Sequence, residues 1–225
     1  MSAVTLARSL LVGALLPMCL VALSFGGSVT FVSSNQMKIK EVRSILADTQ
    51  SSPFPFKLHC ENFELIEPQS TPVDISRTKC KQAVQLCRGP VIVEDTSLHF
   101  NGLNGMPGPY IKAFYESLGN EGLAGLLDFQ DDRSAYAQCV VSFSLGVGHE
   151  IKTFVGTAEG TILRSAAVAA NKTAASQGFG WDPIFIPNGF DVPFGQMDMD
   201  VKNKLSHRFK AFRQLKQYIN SNTPS

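Results

Sequence analysis

The chain has 225 residues, 44% of them hydrophobic, with 20 Lys plus Arg against 19 Asp plus Glu and a formal net charge of +1. That composition excludes a disordered chain, and the near-neutral balance excludes a global basic field for gathering nucleic acid, so an anionic ligand would need a local cluster. Cys19, Cys60, Cys80, Cys87 and Cys139 form no CxxC pair and are odd in number, which reads as reduced thiols in a reducing compartment. The four histidines show no HExxH spacing, so a zinc site is not expected.

Leu10 to Phe25, "LLVGALLPMCLVALSF", is an uncharged run preceded only by Arg8, and no acidic residue comes before Glu41. It is short for a membrane span and holds Pro17, so it reads as a signal-peptide core, a signal anchor, a presequence or an extension outside the fold. Residues 1–26 are set aside as this apolar extension and 27–225 are taken as one domain. The reduced cysteines favour a cytoplasmic enzyme, with membrane contact only through the extension.

Val29 to Ser33 has strand character, and Asn35 is placed to cap a helix with Ile39, Val42, Ile45 and Leu46 on one face. A second helix is expected over Asp74 to Cys87, capped by Asp74 and stopped by Gly89-Pro90, followed by a strand Val91 to Val93. "PGPYIKAFYESLG" starts a helix with Tyr110, Ile111, Phe114 and Leu118 on one side, and "EGLAGLLDF" makes another short one. Ser134 to Leu145, a turn at 146–149 and "IKTFVGTA" form an antiparallel hairpin. Ser165 to Gln177 is Ala-rich without large apolar anchors and reads as a surface insertion or frayed helix. "WDPIFIP" reads as a strand, and Ser206 caps a closing helix with Phe212, Leu215 and Ile219 inward. Helices and strands that alternate before a hairpin make an α/β chain with a mixed sheet.

The chemistry centres on "GPVIVEDTSLHFNG", where an apolar strand runs into Glu94, Asp95 and Thr96. Unpaired buried carboxylates are costly, and a divalent cation that takes carboxylates, waters and phosphates would compensate them. "SSNQMK" joins a strand to a helix N-terminus, which favours an anion, with Lys38 leaning back over the loop. "GFGWDPIF" sets Phe179 and Trp181 around Gly180 ahead of Asp182, and aromatic faces beside flexible backbone can stack a base. His207 and Arg208 occupy the first turn of the closing helix, the unfavourable end of its dipole, which suits a polar ligand.

Together and in this order, "FVSSNQMKIKEV", "GPVIVEDTSLHFNGLNGMPGPYIKAF", "SAYAQC", "GFGWDPIF" and "KNKLSHRFKA" resemble the inosine triphosphate pyrophosphatase family, from about Val29 to Ile219. The resemblance implies an elongated mixed β-sheet with flanking helices and two lobes around a nucleotide cleft. It also implies a homodimer that uses Mg²⁺, with Mn²⁺ able to substitute, to convert noncanonical purine nucleoside triphosphates (ITP, dITP, XTP) to monophosphate and pyrophosphate. On this chain, Ser33, Ser34, Asn35, Gln36, Met37 and Lys38 would hold phosphates, joined by Lys79 and Lys112. Asp95 would bind metal and accept a proton, beside Thr96, with Glu67 as the second metal carboxylate and Glu94 as an alternative base. Phe179, Gly180, Trp181, Asp182, Lys202, His207 and Arg208 would form the base pocket. Lys38, Lys79, Lys112 and the metal would supply the positive field.

Two departures stand out: Ser33-Ser34-Asn35 replaces the family's usual Thr-Gly-Asn, and the Ala-rich stretch before Phe179 is longer than usual. The rival readings are a catalytically silent nucleotide-binding or scaffold protein, and a related pyrophosphatase for modified pyrimidines.

Overall fold

The computed structural model describes residues 27–47, 53–170 and 178–222. The apolar extension and the end of the Ala-rich stretch lie outside them. Among the described residues no helix is long and apolar enough to cross a membrane, and Cys60, Cys80, Cys87 and Cys139 are free thiols.

Seven strands form one mixed sheet: β1 (Ser28–Val32), β2 (Lys57–Glu61), β3 (Val91–Phe100), β4 (Pro107–Gly108), β5 (Ser134–Ser144), β6 (Lys152–Ile162) and β7 (Phe185–Pro187). Their order is β2-β1-β3-β5-β6-β7, with β4 on the outer part of β3. β1 pairs with β2 and β3 in parallel and every other pairing is antiparallel. The flanking helices are α1 (Gln36–Ala47), α2 (Pro72–Leu86), α3 (Ile111–Gly125), α4 (Ser165–Ala170), α5 (Met199–Leu205) and α6 (His207–Asn222).

The local signals mostly act as expected. Asn35 Oδ1 accepts from the amides of Met37 and Lys38, each at 3.1 Å, and so caps α1. Ser206 Oγ accepts from Phe209 N at 3.1 Å at the start of α6. The hairpin turns over 146–149 between β5 and β6.

Several elements differ from expectation. Thr71, not Asp74, caps α2: its hydroxyl accepts from Asp74 N, and Pro72 opens the helix, where its missing amide costs nothing. By contrast, the second short helix expected over "EGLAGLLDF" is present: α3 is two helical stretches joined at Gly119, whose φ of +63° and ψ of −173° are not helical. Of the expected inner face of the first stretch only Ile111 is buried, while Tyr110 and Leu118 are substantially exposed. "WDPIFIP" splits into a 3-10 turn, Asp182–Ile184, and the short β7. The Ala-rich stretch does have an anchor, since Val168 of α4 is buried in the core beside α3.

The largest difference is β3, which runs on through the carboxylates to Phe100 instead of stopping at Val93. Only its parallel neighbour stops: β1 accompanies it as far as Val32 opposite Val93. Side chains alternate between faces along a strand, so Glu94 and Asp95 project to opposite sides of the sheet. On the Glu94 side, Ile92, Cys139, Val141 and Phe143 pack with α1 and α6 in one apolar cluster. Leu98, Phe100, Ala135 and Ala137 on the same side pack with α3 in a second. Glu94 and Thr96 lie in the polar band between these two bodies. On the other side, Val91 and Val93 pack against Cys80, Ala83 and Val84 of α2.

Candidate active site

Glu94 is fully buried, and its compensation comes from α1, α6, β5 and its own strand. Lys38 Nζ of α1 lies 2.9 Å from Oε2, and Arg208 Nη2 of α6 lies 3.3 Å from Oε1. The Thr96 hydroxyl also donates to Glu94, as does the Cys139 thiol, at 3.3 Å. Burial alone would push this carboxyl up, but Arg208 and Lys38 outweigh it and hold Glu94 well below the usual carboxylate range.

The charges then continue in one chain. Arg208 Nη1 donates to Glu41 Oε2, Glu41 Oε1 accepts from Lys202 Nζ at 2.9 Å, and Lys202 Nζ reaches Asp182 Oδ2 at 2.6 Å. Glu41 is a functional residue that the sequence reading missed. It sits on α1 at 2% exposure, three residues beyond Lys38 and next to Val42. An acid on the inward stripe of an amphipathic helix was the available signal.

The aromatic segment abuts this chain. Gly180 adopts φ +57°, a conformation open to glycine, and its carbonyl accepts from Asn120 Nδ2 at 3.1 Å. Phe179 N donates to Asp182 Oδ2 at 3.2 Å, so Asp182 ties the turn down while it receives Lys202. Trp181 is buried, its ring 5.5 Å from that of His207. His207 is 2% exposed, and neither ring nitrogen has a protein partner; Arg208 Nε is likewise buried without one. Burial, with the Arg208 and Lys202 charges, pushes the imidazole well below its ordinary value and keeps it neutral. Gly156 of β6 allows α6 to come this close: a Cβ there would lie 2.1 Å from His207 O and 2.5 Å from Ala211 N.

On the opposite face Lys79 of α2 bridges Asp95 Oδ1 and Glu67 Oε1, the latter at 2.7 Å. Asp95 Oδ2 is buried and unpartnered. Burial pushes the Asp95 carboxyl up, and the Lys79 ammonium offsets this only in part. For Glu67, which is more exposed, the hydrogen bond and charge of Lys79 outweigh burial and hold the carboxyl down. Lys112 is exposed and acts on Glu67 through space.

These positions correct two expectations. Glu94 and Asp95 do not share one cation, because they face different ways. Nor do Lys38 and Lys79 supply a free positive field, since each already neutralises a carboxylate. In the loop expected to hold phosphates, the amides of Met37 and Lys38 are taken by Asn35, and Ser33 Oγ accepts from Asn35 N at 3.2 Å. Ser34 is exposed and is not in the positive-φ region, so the loop does not use glycine's conformational freedom there. Gln36 at the helix start is exposed and Met37 half-buried.

Among the described residues no group of three or more His, Cys, Asp or Glu side chains is arranged to hold a metal ion. Glu67 and Asp95 do converge on one ammonium, with a buried carboxylate oxygen to spare. Two carboxylates fit a hard divalent cation that completes its shell with water and phosphate oxygens.

The sequence model of the Ham1 family matches residues 29–218. Among solved structures, the Ham1 protein of Staphylococcus aureus is 27% identical, with a TM-score of 0.67 over 87% of this chain and 100% of that one. A HAM1 protein from Coxiella burnetii is 23% identical, with a TM-score of 0.70 over 86% of this chain and 98% of the other. The nucleoside-triphosphatase / dITP/XTP pyrophosphatase from Mycobacterium abscessus is 22% identical, with a TM-score of 0.60 over 84% and 97%. The last two likenesses concern the fold.

Proposed function

We propose that this chain, which belongs to the Ham1 family, hydrolyses ITP, dITP and XTP to the monophosphate and pyrophosphate, using Mg²⁺ or Mn²⁺. Family membership supports a nucleotide pyrophosphatase; the name of the Mycobacterium abscessus protein, a dITP/XTP pyrophosphatase, agrees with the narrower substrate class.

The observation that carries this reading is the set of buried polar groups without partners beside Trp181, namely the two nitrogens of the neutral His207 ring, one a donor and one an acceptor, and the donor Arg208 Nε. Leaving such groups unpaired costs about 1–3 kcal/mol each, and the edge of a stacked purine would satisfy them. Hypoxanthine and xanthine carry a carbonyl at position 6 and can accept from these donors. Adenine presents an amino group there, so Arg208 Nε, which can only donate, would face a donor.

The phosphate end lies one residue further along β3, on the other face of the sheet. Glu67 and Asp95 would hold the metal, which when bound supplies charge neutralisation at the phosphates and a more acidic water. Lys79 would leave its two carboxylates for phosphate oxygens, and Lys38 and Lys112 would neutralise further charge. Asp95 suits the role of proton acceptor, because burial raises its affinity for a proton and Oδ2 is unpartnered. Glu94 suits it poorly: four groups occupy it and its carboxyl is held low. Its place is structural, orienting Lys38 and Arg208. Hydrolysis breaks the α–β phosphoanhydride bond, with the proton of the attacking water passing to Asp95. The active species is a homodimer, twice the 24.4 kDa of one chain.

The test is pyrophosphate release from ITP, XTP, GTP and ATP by the purified protein with Mg²⁺ or EDTA. Mg²⁺-dependent turnover of ITP and XTP well above ATP and GTP is expected. Equal turnover of all four, or turnover indifferent to EDTA, overturns the reading.

A further inference from the structure

The segment between β2 and α2, residues 62–71, has no regular secondary structure, yet it carries Glu67 to the Lys79–Asp95 pair. Phe63 and Leu65 anchor its first half against the apolar cluster under α2. Beyond them Ile66 is 74% exposed. Its main chain is held instead by one side chain. Gln82 Oε1 accepts from Ile66 N and Gln82 Nε2 donates to Ile66 O, both at 2.9 Å. A side-chain amide that takes both peptide groups of one residue imitates a strand neighbour and fixes position and orientation together.

Gln82 is three residues beyond Lys79 on α2, so the two side chains share one helix face. They meet consecutive residues of the segment: Gln82 the backbone of Ile66, Lys79 the carboxylate of Glu67. We propose that Gln82 is a positioning residue for the Glu67 carboxylate, registering the segment on α2 so that this acid faces Asp95. The inference rests on the metal reading of Glu67 and Asp95 given above. Without the clamp, an exposed glutamate on an irregular segment samples many backbone and rotamer states, and each departs from the two-carboxylate geometry a hard cation needs. Partners that orient metal ligands are commonly worth about 10- to 100-fold in affinity.

The experiment measures Mn²⁺ binding by electron paramagnetic resonance on the full chain, with an α,β-methylene analogue of ITP present. The proteins are wild type, Gln82→Met and Glu67→Gln, at a temperature where circular dichroism shows all three folded. Methionine keeps the length and flexibility of glutamine but cannot bond the peptide groups of Ile66. Gln82→Met should weaken Mn²⁺ binding about tenfold or more, and raise the Mg²⁺ concentration for half-maximal turnover in parallel. The ITP-to-ATP ratio of kcat/KM should stay unchanged, which a general loosening of the fold would not allow. Wild-type Mn²⁺ affinity in Gln82→Met with weakened binding in Glu67→Gln overturns the positioning role alone. Wild-type affinity in Glu67→Gln overturns the metal reading of Glu67, and this inference with it.

Discussion

Glu41 and Arg208, 167 positions apart in the chain, meet as a buried ion pair with each residue 2% exposed. The pair fastens α1 to the first turn of α6, and Lys202 reaches the same carboxylate from α5. Burial would raise the Glu41 carboxyl, but Arg208 and Lys202 together hold it below its ordinary value. Glu41→Ala would leave Arg208 with Glu94 alone and Lys202 with Asp182 alone, and breaking a buried pair typically costs about 3–5 kcal/mol. Urea unfolding of the variant should show a loss of that order. A loss below about 1 kcal/mol, the scale of a surface pair, would mean the pair does not hold the helices together.

The two adjacent acids should fail in different ways. Asp95→Asn should fold like the wild type and lose about 10²-fold or more of its ITP turnover, through loss of a base and a metal ligand. Glu94→Gln should unfold at distinctly lower urea, because Arg208 and Lys38 lose their shared counter-charge. Paired urea and pyrophosphate assays separate the two. An inactive, fully stable Glu94→Gln beside an active Asp95→Asn would reverse the assignment.

Arg208→Lys keeps the positive charge beside Glu41 and Glu94 but removes the planar fork and its Nε donor. The ITP-to-ATP ratio of kcat/KM should fall about tenfold, the equivalent of roughly 1.4 kcal/mol and within the range for an unpaired polar group. An unchanged ratio would remove Arg208 from base selection.

His207 makes stability depend on pH. Its imidazole is held well below the ordinary value by burial and by Arg208 and Lys202, so the native state stays neutral where the unfolded chain takes up a proton. The unfolded state then binds more protons, and stability must fall as pH drops below about 6.5, by up to about 1.4 kcal/mol per pH unit. His207→Gln lacks this contribution. Urea midpoints of the two proteins between pH 7.5 and 5.5 should therefore converge or cross toward the acid side. Parallel curves would contradict a buried neutral imidazole.

Much of this was legible in the chain alone. The Asn35 and Ser206 caps, the inward stripes of α1 and α6, and the turn at 146–149 depend on hydrogen bonds and periodicities within a few residues. The family motifs likewise stand in short blocks. The expected strand stop at Val93 was wrong for a physical reason: consecutive polar residues look unaffordable in a buried strand until their partners are known. Those partners come from α1, α2, β5 and α6, brought to β3 by the sheet order β2-β1-β3-β5-β6-β7.

Tertiary structure decided what each acid does. It continued β3 past Val93, so that strand alternation turned Glu94 toward Lys38 and Arg208 and Asp95 toward Lys79. It likewise made Glu41, one more helix charge in the sequence, the buried link between Lys202 and Arg208. A charge's partner depends on which distant element packs over it, and only the assembled fold supplies that neighbour.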